Sequence, residues 1–453
     1  MLRHALGLSA WKQFRDSRWS LRVNPSSGNL HPTEAYVVSR SLDGSPAGEV
    51  YHYDAKRHLL EERCVFELPA SAATPHPDDD GWLVALTSIH WREAWKYGER
   101  AFRYCQHDLG HAIAAVRLAA ALAGREARLV ADWSHAEIAA LTGIDRDDDF
   151  FEAEREEPGC IVAVGERAFA EHQMQWLEAV RNGRWTGRAS QLSEDHVVWT
   201  FIDDVARATR DPGRATPSVA NSPIADADTP RLNPRLDRSL VLQRRSAVSL
   251  DPRASIAAAA VFEMLARVMP SSGAPFDALW WDARIHLALF IHRVDGLEPG
   301  LYMLVRNPAA LERVRAACGR EFLWEPAHAG LPLFALARGD MRALSQRVSC
   351  DQDIASDGFF SLGMIAEFEA SLDEFGPWFY RHLFWESGII GQVLYLEAEA
   401  AGVRATGIGC FYDDPVHEIL GLTGHAFQSL YHFTVGTPID DARLTTEPGY
   451  AWE

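Results

Sequence analysis

Nothing in the 453-residue sequence approaches a long uninterrupted apolar run; the best stretch, Ala112 to Ala123, is broken by Arg117. A membrane span needs roughly 18 such residues, so none is expected and the membrane is set aside as a partner. Lysine is nearly missing, present only at Lys12, Lys56 and Lys96, with arginine carrying the rest of the basic charge. Basic residues total 44 against 63 acidic ones, a formal charge of −19. Such a surface lacks the positive field that phosphate polymers require, which excludes nucleic acid as a partner. The amino-terminal stretch MLRHALGLSAWKQFR has no apolar core followed by a small-residue cleavage site, so the expected location is the cytoplasm. Six cysteines (Cys64, Cys105, Cys160, Cys318, Cys350, Cys410) lie far apart without a Cys-x-x-Cys, which removes the common zinc and redox patterns and reads as buried or incidental thiols. A phosphate-cradling glycine loop, a Gly-x-Ser-x-Gly elbow and paired metal carboxylates are also missing.

What is present is repetition. Pro25-Ser26-Ser27-Gly28 recurs as Pro270-Ser271-Ser272-Gly273, and Arg103, Gly110, Gly124 and Gly143 are matched by Arg381, Gly388, Gly402 and Gly421 at a constant offset of 278. Between these signals each copy carries a tyrosine shortly after a glycine (Gly48 and Tyr51; Gly300 and Tyr302), and each ends in Val-Gly (Val164-Gly165; Val435-Gly436). Two diverged copies therefore stand in tandem. Pro212, Pro217, Pro223, Pro230 and Pro234 punctuate a run of Ala, Asp, Ser and Thr between them that cannot bury a core and reads as an extended linker. Apolar steps of i, i+4, i+7 predict a helix in each copy (Leu109, Ile113, Val116; Ile389, Val393, Leu396), and strands are expected at Ala35 to Val38 and Ile285 to Ile291. The expected class is α+β: two tandem domains, 1–185 and 241–453, around a linker 186–240, each a mixed sheet flanked by helices, associated as an intramolecular pseudo-dimer.

Candidate chemistry sits at a few places. Arg244-Arg245-Ser246 offers two planar guanidinium forks and a hydroxyl, the donors of a phosphate clamp, although a surface charge cluster has the same composition. Arg443, beyond Gly436-Thr437-Pro438, is a second basic group that could reach the same anion. The loop Pro25-Ser26-Ser27-Gly28-Asn29-Leu30-His31-Pro32 supplies donors and acceptors for the edge of a planar heterocycle, or is a turn; its recurrence favours the first. Gly407-Ile408-Gly409-Cys410 would let a flat ring lie on backbone. Lys96-Tyr97 is either a base with its partner, which requires a lysine driven toward neutrality by burial, or a solvated helix lysine beside an anchoring tyrosine. His107-Asp108-Leu109-Gly110-His111 carries histidines at i, i+4 but lacks the glutamate and third ligand of a zinc helix, so no metal site is assigned.

Taken together these motifs resemble the FMN-dependent nitroreductase superfamily, and more closely its azoline-dehydrogenase branch. Arg22-Val23-Asn24-Pro25-Ser26-Ser27-Gly28-Asn29-Leu30-His31-Pro32-Thr33-Glu34 is similar to the flavin-edge loop of that branch, Arg244-Arg245-Ser246 to its phosphate motif, and Lys96-Tyr97, followed by Arg100, Arg103 and Tyr104, to its catalytic pair. The resemblance implies an FMN site shared between the halves: Arg244, Arg245, Ser246, Ile408, Gly409 and Arg443 from the second, Pro25, Ser26, Ser27 and Asn29 from the first. It also implies hydride transfer to flavin N5 with Lys96 as base and Tyr97 as its partner, on an azoline-like ring of a peptide or small molecule, within a peptide-maturation complex or alone. In the second copy Arg244 precedes Pro270 by 26 positions, so its first-copy counterpart would fall before Met1. Either one flavin is kept or the sequence begins late. Two other readings stay open: a free-standing NAD(P)H-dependent reductase of nitro or quinone compounds, and a flavin-free pseudo-dimer acting as a scaffold.

Overall fold

The computed structural model describes residues 1–42, 45–68, 81–165, 176–213 and 233–452. In the first half an amino-terminal hairpin, β1 (Leu8–Phe14) and β2 (Ser17–Arg22), precedes strands β3 (Thr33–Arg40), β4 (Ala47–Asp54), β5 (Leu59–Glu67) and β6 (Trp82–Ser88). Then come helices α1 (Trp91–Tyr97) and α2 (Ala101–Leu122), strand β7 (Ala127–Leu129), helix α3 (His135–Thr142), and strands β8 (Glu157–Val164) and β9 (Arg184–Trp185). Helix α4 (Thr200–Ala208) follows. The second half holds β10 (Ile285–Ile291), β11 (Gly300–Leu304), β12 (Glu325–Pro326), β13 (Leu333–Arg338), β14 (Phe360–Glu367), α5 (Tyr380–Ala400), β15 (Arg404–Ile408), α6 (Asp413–Leu420), β16 (Phe427–Gly436) and β17 (Thr445–Glu447).

Two seven-stranded sheets result, in the orders β9-β5-β4-β3-β6-β8-β7 and β12-β13-β11-β10-β14-β16-β15. Six of the seven positions coincide in chain order, so the repeat seen in the glycines is a repeat of topology; only the two-residue edge strands differ, β9 following β8 while β12 precedes β13. The mixed sheet expected from sequence is corrected: every pairing within both sheets is antiparallel. Among the described residues parallel pairing is confined to residues 256–257 with 294–295 and to a bridge between Ser246 and Ala405. Burial explains the composition of the central strands. Thr33–Arg40, Phe360–Glu367 and Ile285–Ile291 are covered on both faces, and β10 accordingly reads as a continuous apolar run rather than an alternation.

The equivalent glycines explain themselves in pairs. Gly143 (φ 74°) and Gly421 (φ 69°) are the left-handed caps that end α3 and α6, a conformation that costs a residue with a Cβ. Gly110 and Gly388 face each other where α2 crosses α5: a Cβ built on Gly110 would stand 2.9 Å from Gly388 Cα, and one on Gly388 2.8 Å from Gly110 Cα. The helices meet backbone to backbone, and one continuous core takes in Leu109, Ile113 and Val116 together with Phe384, Ile389 and Val393. The equivalent arginines reach across as well, Arg103 to Asp413 at 3.3 Å and Arg381 to Glu157 at 2.8 Å. The halves form the expected intramolecular pseudo-dimer.

The expected linker is corrected in part. Residues 200–208 are helical and bury Ile202 and Ala206 against Ala94, Ala101 and Phe102. Pro217, Pro223 and Pro230 lie outside the described residues. The thiol reading is corrected too: Cys350 and Cys410 are disulfide-bonded, with Cα atoms 5.9 Å apart, while Cys64, Cys105, Cys160 and Cys318 are free and buried. A sequence separation of 60 hid the pair, because proximity across it is made only by folding. Among the described residues no helix is long and apolar enough to cross a membrane.

Candidate functional site

The bridge between Ser246 and Ala405 lays Arg244-Arg245-Ser246 along the edge of β15, where Ala247 N–H donates to Ala405 O at 3.0 Å. Tyr395, on α5, fastens this junction: its hydroxyl accepts from Ser246 Oγ and from Gly407 N–H, both at 2.9 Å. Arg244 is 3% exposed, its guanidinium 4.9 Å from the centre of the Tyr395 ring, with Nη2 donating to Arg22 O at 3.2 Å. Its Nε and Nη1 are buried without a partner. Arg245 donates Nη2 to Ser9 O at 3.2 Å. Burial first, then Arg244, brings its pKa down to about 10. A buried cation without a carboxylate partner is costly, so this junction is built for an anion.

From the first half comes the loop before β3. Gly28 (φ 58°) carries the turn with no room for a side chain, since a Cβ would strike the Tyr97 hydroxyl. Ser27 N–H donates to both Asp108 oxygens, at 3.1 and 3.3 Å, and Ser27 Oγ donates to Oδ1 at 3.3 Å. Ser26 Oγ accepts from His31 N–H at 2.8 Å and donates to Glu93 Oε1 at 3.5 Å. Asn29 Nδ2 donates to Ser20 O on the hairpin at 2.9 Å. Desolvation, then the Asp108 charge, pushes Glu93 up to about 10, and desolvation raises Asp108 to about 7. Like charges this close in a dry site hold one proton between them near neutrality.

These parts enclose a cavity of about 570 Å³, within the range of ligand sites. Pro25, Ser26, Ser27, Asn29 and Tyr97 line it from the first half, and Arg244, Arg245, Ser246, Ile408 and Gly409 from the second. Ten of the twelve residues expected at a shared site are thereby brought together. Two are not. Lys96 is exposed on α1, its ammonium 5.1 Å from the centre of the Tyr97 ring and outside the cavity wall, so the burial that would destabilise its charge is not supplied. Arg443 is exposed and engaged with Asp441 at 2.7 Å, outside the wall that its neighbour Leu444 lines.

Several wall residues escaped the sequence reading. The sequence pattern groups Asp108 and His111 with His107 and assigns them no role; in the fold Asp108 serves the Ser26-Ser27 loop and His107 stacks on Tyr431 with ring centres 4.1 Å apart. His111 sits between Gln392 (3.2 Å) and the Tyr431 hydroxyl (3.3 Å), its pKa lowered to about 3 by burial. Among the described residues no cluster of three or more metal-ligating side chains occurs. A signal for Asp108 did exist: at the offset of 278 the second copy also has an acid, Glu386. Tyr395, Tyr431 and Lys12 gave none, since each reaches the cavity only through tertiary packing. The ring of Tyr104, 4.9 Å from that of Tyr97, closes one wall, and a Cβ on Gly409 would come 2.5 Å from it. The cavity lies between the glycine strand end and the Ser-Ser loop.

Residues 296–437 match the model of the Nitroreductase family. The trifolitoxin-processing protein TfxB of Rhizobium leguminosarum bv. trifolii is 34% identical over 114 residues, covering 22% of this chain and 29% of that protein. A protein assigned as a nitroreductase in Methanocaldococcus jannaschii is 31% identical over 105 residues, covering 22% of this chain and 52% of its own length. The chain thus spans about a third to a half of these relatives. In structure it is similar to a protein of Anabaena variabilis, also assigned as a nitroreductase, with a TM-score of 0.68 at 20% identity over 97% of this chain and 87% of that one. The fold is therefore nitroreductase-like along nearly the whole chain.

Proposed function

We propose that this nitroreductase-like chain is an FMN-dependent oxidoreductase, a dehydrogenase of azoline-like rings in a modified peptide or related small molecule. The observation that carries the reading is the buried Arg244 guanidinium, whose Nε and Nη1 have no partner, in a cavity to which both halves contribute. Those residues fit FMN: Arg244, Arg245 and Ser246 would hold its phosphate, Ile408 and Gly409 would let the ring lie against backbone, and Pro25, Ser26, Ser27 and Asn29 would meet the ring edge. When bound, FMN supplies a two-electron acceptor that takes hydride from a substrate carbon. The chain's own work is then positional and protonic. Asp108 fixes the Ser27 amide, and the Tyr97 hydroxyl faces the cavity beside Gly28. The carbon next to the oxidised one also loses a proton; Tyr97, which lines the cavity, would relay it outward, and Lys96, 5.1 Å from the centre of the Tyr97 ring, would take it only as the free amine. The domains assigned to this arrangement are 1–185 and 241–453, joined by 186–240. Peptide maturation as the setting, with a maturation complex as partner, is supported by the similarity to a trifolitoxin-processing protein.

A reductase of nitro or quinone compounds using NAD(P)H is the second reading, favoured by the family model that residues 296–437 match. Nicotinamide-dependent bleaching of the flavin separates it from the first. The deciding experiment is the visible spectrum of purified protein and of an Arg244→Ala, Arg245→Ala double variant. A flavin spectrum lost in the variant is the expected result. Colourless protein that takes up no added FMN overturns both flavin readings and leaves the scaffold.

A further inference from the structure

We propose that Lys12, on the amino-terminal hairpin, is the third cation of the anion clamp, fills the role that sequence assigned to Arg443, and selects a cofactor bearing a phosphate monoester. The inference rests on the flavin reading above.

The hairpin is part of the cavity, not an appendage beside it. Its two strands pair with each other and β1 pairs with β17 as well, placing Lys12 opposite Trp19 on one side and Thr446 on the other. Lys12, Trp19 and Leu21 all line the cavity that Arg244 and Arg245 enter. Both guanidiniums lie against hairpin backbone, Arg245 on Ser9 O and Arg244 on Arg22 O, each at 3.2 Å. The first half thus holds the second half's arginines in place and adds a charge of its own.

The local charges call for an anion. Lys12 is half-buried and makes no ion pair among the described residues. The charges acting on it are Arg245 and Arg404, which repel it, and Asp440 and Asp441, which attract it. Both carboxylates are already engaged, Asp440 by Arg404 at 2.5 Å and Asp441 by Arg443 at 2.7 Å. Burial first, then Arg245 and Arg404, lowers the Lys12 pKa. Glu399, the carboxylate that acts on the two arginines of the clamp, accepts instead from Gln243 at 2.9 Å. Lys12, Arg244 and Arg245 thus line one cavity, and among the described residues none of them is in an ion pair, although Glu399, whose Oε2 is buried without a partner, acts on the two arginines and Asp440 and Asp441 act on Lys12 from a distance; a dianionic phosphate supplies the direct partner they lack. Arg443 is exposed and already paired with Asp441, and it does not line the cavity.

The test compares FMN with riboflavin, which has the same ring and no phosphate, by quenching of flavin fluorescence on protein stripped of cofactor. Wild type, Lys12→Met, Lys12→Gln, Lys12→Arg and Arg443→Ala are measured. Loss of a charge-assisted contact weakens FMN by about tenfold in both neutral Lys12 variants and leaves riboflavin within about twofold. Retained riboflavin binding also reports an intact fold, and Lys12→Arg restores FMN. An unchanged ratio of FMN to riboflavin affinity in the Lys12 variants overturns the inference, as does a larger drop in that ratio for Arg443→Ala. Wild type that takes up neither flavin overturns the parent reading instead, and the inference falls with it.

Discussion

Glu93 has a fully buried carboxyl beneath the Ser26-Ser27 loop, and it is an acid that the fold keeps neutral. Its folded pKa is raised to about 10 by burial and by Asp108, against an unfolded value of 4.5. The sign follows from linkage. Below about pH 4.5 the carboxyl is protonated in both states and costs nothing; above it the unfolded chain gains by ionising while the folded chain cannot, so stability declines as pH rises toward 10. Glu93→Gln keeps the shape and the contact to Ser26 and removes this penalty. Its melting temperature is expected to exceed wild type by a few degrees at pH 8 and to match it near pH 5, as read by calorimetry at both values. A variant less stable at pH 8 would mean that Glu93 is ionised and useful in the fold. At this scale the sequence was legible where chemistry is local. Arg244 and Ser27 are recognisable from their neighbours, whereas the partnership of Asp108 with Glu93 joins two helices and a loop that no spacing rule connects.

The crossing of α2 and α5 decides whether there is a site at all, because the two long helices bring the Ser-Ser loop of one half to the arginines of the other. Their glycines leave no slack. A methyl on Gly388 would meet the backbone of His107, Gly110 and His111. Gly388→Ala is therefore expected to cost about 1–3 kcal/mol. It should also release flavin at a lower urea concentration than it unfolds the sheets, measured by flavin fluorescence beside circular dichroism. Coincident transitions with a wild-type midpoint would place the helices farther apart than described. The repeat made these glycines visible in the sequence, and their periodicity put them on helices. That they face each other could not be read, since a repeat reports equivalence and not contact.

For the whole molecule, the pseudo-two-fold generates a second Ser-Ser-Gly loop, and a second cavity of about 640 Å³ lies beside it. Every residue lining it, from Pro270 to Glu386, belongs to the second half. Glu386, which stands where Asp108 stands in the first half, is spent: it accepts from Trp281 Nε1 at 3.1 Å and from the Arg284 and Ile285 amides, and it pairs with Arg306. Arg117, equivalent to Tyr395, is turned to Asp277 at 2.6 Å instead of fastening a phosphate motif. The expected stoichiometry is one FMN per chain, checked by flavin absorbance against protein concentration after saturation. A value of two would mean that the second cavity is a working site.

By itself the sequence determined the duplication, the α+β class, the long helices and most of the wall of the cavity, because each is written in local periodicity or in motifs a few residues long. Only the tertiary structure decided that Lys96 and Arg443 stand outside the wall while Lys12 and Asp108 stand in it, that Cys350 meets Cys410, and that the two Ser-Ser-Gly loops are unequal. The reason is physical. Residue type records what chemistry a side chain can do, but burial, pairing and charge balance are properties of neighbours brought together across hundreds of residues, and those exist only once the halves have packed.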